Sequence, residues 1–278
     1  MRKVTKEQIQ TSLKLMGIEK GDVIFMHSAL SAPGIVEGGA DGVIDAFLDV
    51  IGDEGTLAVS TLAFGAPFDA DTTPSAVGLI SETLRKRKGA IRSLRPVHAI
   101  AALGKRAKEL TEGHEHCSSN CGEGSPYRKL IDMNGKIILF GVDMNRNTTL
   151  HAIEDWMDAS FLEDYTIMMP TYMPDYQGKT MVLKKYPPGH RDFLRFTPVL
   201  RKEGALIEGR VGLAKVLCID VKKMYELGIR EMKRDPFFSC VKTPHANSVQ
   251  KRERRCSDVS FQHPSKQSGT QCLWSGQY

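Results

Sequence analysis

The residue pair His151 and Glu154 combines the two side-chain types that a general base needs. The two residues are three positions apart, so on a helix their side chains lie on the same face. At that spacing the carboxylate can hold one imidazole nitrogen while the other nitrogen faces a substrate. Because an imidazole exchanges protons near neutral pH, the pair predicts proton abstraction by His151. An ordinary polar first turn of a helix is the alternative interpretation.

The sequence around this pair predicts where it lies in the fold. Residues 136–140 (KIILF) are typical of a buried strand. Asn147, Thr148 and Thr149 then offer N-cap side chains for a helix that begins at Leu150. In a strand–loop–helix unit the start of the helix lies at the carboxyl edge of the sheet, where α/β proteins usually bind their ligands. We therefore expect the pair at that edge.

A second loop, His27 to Asp41, follows the predicted strand Asp22 to Met26 and is rich in Gly, Ser and Ala. Backbone N–H groups of such a loop can approach an anionic ligand closely, with support from the dipole of the following helix. The loop matches neither GxGxxG nor a Walker sequence, so the common phosphate-binding motifs do not apply. It predicts either an anion-binding loop or a plain structural connection.

The order of the predicted elements indicates the fold class. Helical and strand patterns alternate in the first half of the chain, where Thr5 is predicted to cap the first helix and Thr73 the helix 79–87. Strand pairs with antiparallel character follow the helix of His151. This order predicts an α/β fold with a central mixed sheet, a parallel core with antiparallel additions, flanked by helices. Residues 1–240 would form a single α/β domain, and the polar, basic segment 241–278 a poorly structured tail.

Composition excludes several classes of protein. The 278 residues are 41% hydrophobic and 26% charged, as in ordinary globular proteins. We find neither a membrane-length apolar run nor a signal peptide, so we expect a cytoplasmic protein without a membrane partner. The formal net charge of +5 is carried partly by the tail, so the rest of the chain lacks the excess of positive charge that is typical of nucleic-acid-binding proteins.

Histidines and cysteines outside the pair allow other chemistry. His114, His116, Cys117 and Cys121 share one loop, but their spacing matches no common closed zinc site, and we expect no metal. Cys121 could also act as a nucleophile beside His151, although nothing nearby in the sequence indicates an activated thiol. A further histidine, at position 190, could approach the site or simply follow the turn made by the preceding PPG sequence.

Four segments of the chain carry a family resemblance, in the family's order and approximate spacing. They are HSALSAPGIVEGGADGVIDAFLDVIGDEGTL (27–57), TPSAVGLISETLRKRKGAIRSLRPVHAIAALG (73–104), GEGSPYRKL (122–130) and GKIILFGVDMNRNTTLHAIED (135–155). Together they resemble the aminoglycoside 3-N-acetyltransferases of the antibiotic N-acetyltransferase superfamily, which differ in fold from the GNAT enzymes. The resemblance implies transfer of an acetyl group from acetyl-CoA to an amine of an aminoglycoside, the 3-amino group of its 2-deoxystreptamine ring.

The resemblance also implies roles for individual residues. The catalytic histidine of the family corresponds to His151, and its acidic partner to Glu154. The positions expected to bind the acetyl-CoA co-substrate are His27, Ser28, Ala29, Leu30, Ser31, Gly34, Val36, Thr73, Ser75, Gly78, Ser93 and His98. Two positions depart from the family pattern, since Arg95 replaces a usual histidine and Ser31 a frequent lysine.

An aminoglycoside is a polycation, so its site needs anionic walls. Acidic residues in predicted loops are candidates for substrate binding, namely Asp69, Asp71, Glu123, Asp143 and Asp155, with Asp175 as a further candidate. Two alternatives to the aminoglycoside function stay open: N-acetylation of a biosynthetic or housekeeping amine, and a CoA-binding homologue with little turnover. A homodimer is an assembly that the sequence leaves open.

Overall fold

A computed structural model describes residues 3–63, 68–95, 97–168, 180–187 and 189–241. Pro96, Asp175 and the predicted tail beyond Val241 lie outside the described residues. The prediction of one domain over residues 1–240 followed by a tail therefore stays a prediction.

Within the described residues, seven strands form one mixed sheet in the order β3-β4-β2-β1-β5-β9-β8. The strands are β1 (Val23–Ser28), β2 (Thr56–Ser60), β3 (Ile91–Arg92), β4 (Ile100–Gly104), β5 (Lys136–Phe140), β8 (Leu206–Val211) and β9 (Ala214–Asp220). Strand β1 pairs in parallel with β2 and β5, whereas the outer pairs are antiparallel. The predicted α/β fold, with its parallel core and antiparallel additions, is confirmed.

Helices cover both faces of this sheet. They are α1 (Lys6–Leu15), α2 (Gly39–Ile51), α3 (Leu79–Arg85), α4 (Ala107–Thr111), α5 (Pro126–Asp132), α6 (His151–Trp156), α7 (Phe196–Lys202) and α8 (Val221–Arg234). As predicted, Thr5 caps α1, and it does so in a reciprocal capping box with Gln8.

Successive side chains of β1 point to opposite faces of the sheet, so the core has two layers. Ile24 and Met26 pack with buried side chains of α1, α2 and α3, whereas Phe25 packs on the opposite face with side chains of α4 to α8. Each such fully buried side chain contributes roughly 1.5–3 kcal/mol by leaving water. The face of Phe25 is the one that carries α6 and therefore His151.

The other two helix starts for which side-chain caps were predicted form differently. Helix α3 begins after Gly78, without a side-chain cap, so Thr73 is not its cap; the Thr73 hydroxyl instead accepts the Asp69 N–H within the preceding loop. Helix α6 begins at His151 rather than Leu150 because a 3₁₀ turn, Thr148–Leu150, runs directly into it. The His151 N–H bonds to the carbonyl of Thr148, so the preceding turn replaces the predicted side-chain cap.

The hairpin predicted after α6 is present as a separate two-stranded sheet. Its strands are β6 (Glu163–Met168) and β7 (Thr180–Lys185), which pair antiparallel. The chain leaves β7 through Tyr186 and Pro187 towards His190. No helix in the described part of the chain has the length and apolar character to cross a bilayer.

Candidate active site

The carboxyl edge of the parallel strands gathers the segments that the sequence singles out. Strand β1 ends at Ser28, which pairs with Phe140 at the end of β5. Strand β2 ends at Ser60, opposite Ile100 at the start of the antiparallel strand β4. The end of β1 with His27, the segment of His98 before β4 and the loop that leads to His151 therefore lie at the same sheet edge, as the strand–loop–helix argument predicts.

Close packing joins the first loop to the segment that leads to His151. Gly141 has φ +71°, a conformation that favours glycine, and a Cβ atom there would collide with the side chain of Ala32. The Ala29 N–H donates to the Phe140 carbonyl at 2.9 Å. The small-residue loop predicted to bind an anion thus packs directly on the loop of the candidate base.

His151 and Glu154 are in contact and fully inside the protein. Nδ1 of His151 lies 2.6 Å from Oε2 of Glu154, and the two side chains are 3% and 0% exposed. Burial alone would raise the pKa of Glu154, but the His151 ring and the hydrogen bonds from both neighbouring histidines outweigh it and lower the pKa to about 2. An ionised carboxylate accepts only, so Nδ1–H of His151 donates and Nε2 keeps its lone pair.

The pKa of the imidazole itself also suits a base. Burial lowers the pKa of His151 below its ordinary value, and the opposing effect of Glu154 does not cancel that shift. His151 is therefore neutral at neutral pH, with the Nδ1–H tautomer set by Glu154. Such a ring can accept a proton on Nε2.

His190, whose role the sequence left open, lies at the site. Its Nε2 is 3.1 Å from Oε1 and 3.3 Å from Oε2 of Glu154, and Oε2 also contacts Nδ1 of His151. His151, Glu154 and His190 are the one group of three or more histidine, cysteine or acidic residues that come together as metal ligands would, among the residues the structure describes. The 2.6 Å contact of His151 with Glu154 is that of a charge-assisted hydrogen bond.

Tyr186 was not predicted and packs directly on the candidate base. Its ring stacks on that of His151 with centroids 4.0 Å apart and planes 29° apart. Its hydroxyl donates to Oδ2 of Asp155, whose pKa burial raises to about 6. Tyr186 follows a strand of the separate hairpin, and no local pattern marks such a residue as part of a site on α6.

His98 approaches the same ring from the opposite side of the sheet edge. Its centroid lies 6.0 Å from that of His151, in an edge-to-face arrangement. Its backbone is held at φ +63°, an uncommon value for histidine, and Tyr127 OH donates to its carbonyl oxygen. Burial lowers the pKa of His98 well below its ordinary value, and its Nδ1 has no hydrogen-bond partner among the described residues.

His27 and the rest of the first loop divide into a buried and an accessible part. His27 is buried at the end of β1, burial lowers its pKa to about 3, and within the described residues its Nε2 has no partner. The accessible part comprises Ser28, Ala29, Leu30, Ser31 and Gly34, whereas Val36 is buried. Ile35 and Val36 are tied to the segment before α1 by the bridge to Val4.

The loop 68–78 uses its polar groups largely to hold itself together. Asp69 accepts hydrogen bonds from the Asp71 and Thr72 N–H groups, and the Ser75 N–H donates to Glu82 on α3. The buried guanidinium of Arg92 donates to the carbonyl of Thr73. Thr73, Ser75 and Gly78 lie on this ordered loop, and no contact joins them to His151 among the described residues.

Ser93 and Arg95 belong to an internal polar cluster. The Ser93 hydroxyl accepts the Ile100 N–H and bonds to Nδ1 of His114. Arg95 donates to Asn120 Oδ1 and to the Cys117 carbonyl, so the residue that departs from the family pattern anchors the loop 113–124. Ser93 thus faces the protein interior.

The predicted acidic residues differ in exposure. Asp143 is exposed and accepts the Asn145 N–H, so it caps a separate 3₁₀ turn, Met144–Arg146. Glu123 is exposed beside Arg128, at 3.5 Å. Asp69 and Asp71 lie on the loop 68–78, and Asp155 is tied to Tyr186. Only Asp155 is linked to the His151 ring by contacts of described residues.

The alternative zinc site does not form as a cluster in the structure. Both ring nitrogens of His114 are used by the protein, since Nε2 lies 2.8 Å from the Asn120 carbonyl and Nδ1 contacts Ser93. His116 is half exposed beside Glu115, whereas Cys117 and Cys121 are buried. Burial raises the pKa of the Cys121 thiol well above its ordinary value, which argues against an activated nucleophile.

Comparison with known proteins identifies the family of this chain. A family model described as aminoglycoside 3-N-acetyltransferase matches residues 25–233. The aminoglycoside N(3)-acetyltransferase VII of Streptomyces paromomycinus is 33% identical over 179 residues, which are 56% of this chain and 62% of that protein. The chain thus spans less than two thirds of the length of that relative.

Solved structures share the fold. The crystal structure of aminoglycoside acetyltransferase AAC(3)-Xa is 29% identical, with a TM-score of 0.73 over 83% of this chain and 93% of that one. AAC-IIIb, solved as a binary complex with CoASH, has a TM-score of 0.72 at 22% identity and covers 87% of this chain and 100% of its own. The match of the family model over most of the chain confirms the resemblance seen in the motifs: the protein belongs to the aminoglycoside 3-N-acetyltransferase family.

Proposed function

We propose that this protein transfers the acetyl group of acetyl-CoA directly to an amine of an aminoglycoside, the 3-amino group of the 2-deoxystreptamine ring. The observation that carries the proposal is the buried imidazole of His151, whose tautomer is set by Glu154 at 2.6 Å. Family membership supports the reaction class, and the names of the relatives support an aminoglycoside as acceptor.

His151 would supply the proton transfer that the reaction needs. An amine near neutral pH is mostly an ammonium ion and has no lone pair for attack. Nε2 of the neutral His151 ring would take this proton, and the freed nitrogen would form the new C–N bond as the C–S bond of the thioester breaks. The imidazolium can then return the proton to the departing sulfur. The nitrogen still carries one surplus proton after the C–N bond forms, and releases it to solvent. An ammonium ion and a thioester thus give an amide, a thiol and one free proton without a protein nucleophile.

Glu154 would act through His151. Its carboxylate holds Nδ1–H, which prevents the ring from turning its lone pair away from the substrate. Once Nε2 is protonated, the same carboxylate stabilises the imidazolium, as the acid does in a Ser-His-Asp triad. The negative charge on the acyl oxygen during transfer would be stabilised by N–H donors near the sheet edge.

The first loop is the proposed cradle for CoA, the group that supplies an activated acetyl thioester. Glycine and other small residues leave its backbone accessible, and the buried Nε2 of His27 has no partner among the residues that the structure describes. Orphaned polar atoms of this kind are expected where a ligand completes the hydrogen bonding. His98, with its unpartnered Nδ1 near His151, is proposed to line the same site. AAC-IIIb, which shares the fold, was solved with CoASH.

Exposed carboxylates would bind the cationic acceptor. Asp143 lies on the loop that leads to His151, and Glu123 is exposed in the loop 113–124. Asp69 and Asp71 are proposed as outer contacts. The assembly state, including a homodimer, stays a prediction.

Thiol release from acetyl-CoA tests the proposal. Purified protein is expected to release free thiol when a 2-deoxystreptamine aminoglycoside is added, and mass spectrometry should find the acetyl group on the 3-amino nitrogen. The same aminoglycoside already acetylated at that nitrogen is the matched control and should give no release. Release with simple polyamines but not with aminoglycosides would contradict the acceptor, and CoA binding in a calorimeter without any product would contradict the activity.

Replacing Cys121 separates direct transfer from transfer through an enzyme thioester. The thiol is buried and protonated, so Cys121→Ala should retain most of the wild-type turnover. Mass spectrometry of wild-type protein mixed with acetyl-CoA alone should find no acetylated cysteine. A loss of turnover as large as that of a His151 variant would instead support a cysteine nucleophile.

A further inference from the structure

His190 occupies an unusual position between two hydrogen-bond acceptors. Its Nε2 faces the Glu154 carboxylate at 3.1 Å, and its Nδ1 lies 2.6 Å from the Pro187 carbonyl oxygen. The backbone carbonyl of His190 accepts the Val241 N–H at 2.8 Å, which anchors this segment to the end of the described chain. The ring is therefore held in one orientation by contacts at both ends.

The two acceptors determine which ring nitrogens of His190 carry a proton. A carbonyl oxygen can only accept, and so can the ionised carboxylate of Glu154. A neutral imidazole donates from one nitrogen only and would place a lone pair against an oxygen at the other. Both contacts are satisfied together only when both nitrogens carry protons, so the geometry points to an imidazolium at His190.

We propose that His190 is a positioning residue that holds a fixed positive charge behind Glu154 and thereby keeps the base His151 neutral and ready to accept a proton. This inference rests on the proposed function, because it describes how that same base is tuned. The rings of His190 and His151 have their centroids 5.6 Å apart, with the Glu154 carboxylate between them.

The charge acts in two ways that have the same sign. It repels a proton arriving on His151, and it neutralises the carboxylate that would otherwise stabilise the His151 imidazolium. In agreement, the charge of His190 lowers the pKa of His151, in addition to the larger effect of burial.

Other titratable and charged groups lie around His151 and its neighbours Glu154 and Tyr186. They are Glu154 and Asp155 on α6, His98 before β4, Cys121 in the loop 113–124, Tyr186 after β7 and Arg191 before α7. The groups around His190 itself are Glu154, His151 and Tyr186, together with the apolar rings of Phe161 and Phe193.

His190→Gln removes the charge while an amide N–H can still donate to Glu154. A unit charge at 5–6 Å changes a neighbouring pKa by about two units at an effective dielectric constant near 20. We expect the pKa of His151 to rise by that amount, so the acid limb of the kcat/KM profile moves to higher pH. One pH unit below the new limb kcat/KM should be about tenfold lower than on its plateau.

His190→Lys keeps a positive charge and N–H donors, so the acid limb of its kcat/KM profile should lie where it does in the wild type. His116→Gln removes a half-exposed histidine of another loop and is the control for losing an imidazole. A profile in His190→Gln that does not move, or one that moves equally in His190→Lys, would overturn the proposal and assign His190 a purely structural role.

Nuclear magnetic resonance of the ring nitrogens tests the inference without turnover. In the wild-type protein at pH 7, ¹⁵N shifts should show both nitrogens of His190 protonated and one nitrogen of His151 unprotonated. An unprotonated His190 nitrogen would overturn the proposal even if the variants do not fold. If these spectra agree but no aminoglycoside is acetylated, the proposed function fails while the charge assignment stands.

Discussion

Replacement of His151 by glutamine is expected to lower kcat by about 10²–10⁴-fold, the usual contribution of a positioned general base. Glutamine can still donate an N–H to Glu154, so the variant removes the proton acceptor with little change in volume. The acceptor amine then enters as an ammonium ion, and the position held by Nε2 of His151 no longer offers a basic nitrogen. The measurement is initial-rate thiol release with saturating acetyl-CoA and aminoglycoside at pH 7.

The same variant should keep its binding properties. Calorimetric affinity for CoA should stay close to wild type, and the melting temperature should remain close to wild type. Loss of CoA affinity in proportion to loss of rate would indicate that His151 serves binding rather than proton transfer. A near wild-type kcat would show that another group is the base.

Replacement of Glu154 by glutamine is expected to have the second largest effect. Without the carboxylate the imidazolium formed at His151 loses its buried counter-charge, so the pKa of His151 falls and the base becomes weaker. We expect kcat to fall by about 10²–10³-fold, with KM for acetyl-CoA little changed. Asp155→Asn is the matched comparison on the same helix, because Asp155 reaches the His151 ring only through Tyr186. Asp155→Asn should lower kcat clearly less than Glu154→Gln does.

Glu154 also links folding to pH. Its pKa is lowered in the folded protein to about 2, so its stabilising effect is fully present above the ordinary carboxyl value and is lost as pH falls towards 2. Removing one partner of such a buried ionic contact costs about 3–5 kcal/mol. Urea unfolding of Glu154→Gln should therefore show a smaller free energy of unfolding than wild type at pH 7, and the difference should shrink in acid. Equal stabilities at pH 7 would contradict a buried, charged Glu154.

Local spacing made part of this site predictable. His151 and Glu154 are three residues apart, so any helix through them brings the side chains together, whatever the tertiary fold. The strand at residues 136–140 and its partner β1, which leads into the first loop, are also local patterns, and chain direction alone places their ends at one sheet edge. These features required no knowledge of distant contacts.

Tyr186 and His190 show where such reasoning stops. Both reach α6 from more than 30 residues away in sequence, after a hairpin whose packing no periodicity describes. The turn residues before His190 predicted a bend but not its direction. The family resemblance implied that Ser93 contacts CoA; its hydroxyl bonds to His114 inside the protein, and the CoA contact stays a prediction.

A crystal structure with CoA and an aminoglycoside tests the central claim most directly. The account predicts that the reacting amine lies within about 3 Å of Nε2 of His151, with the CoA sulfur beside it and the Glu154 contact retained. A pantetheine arm that ends away from His151, or an amine nearest to another side chain, would contradict it.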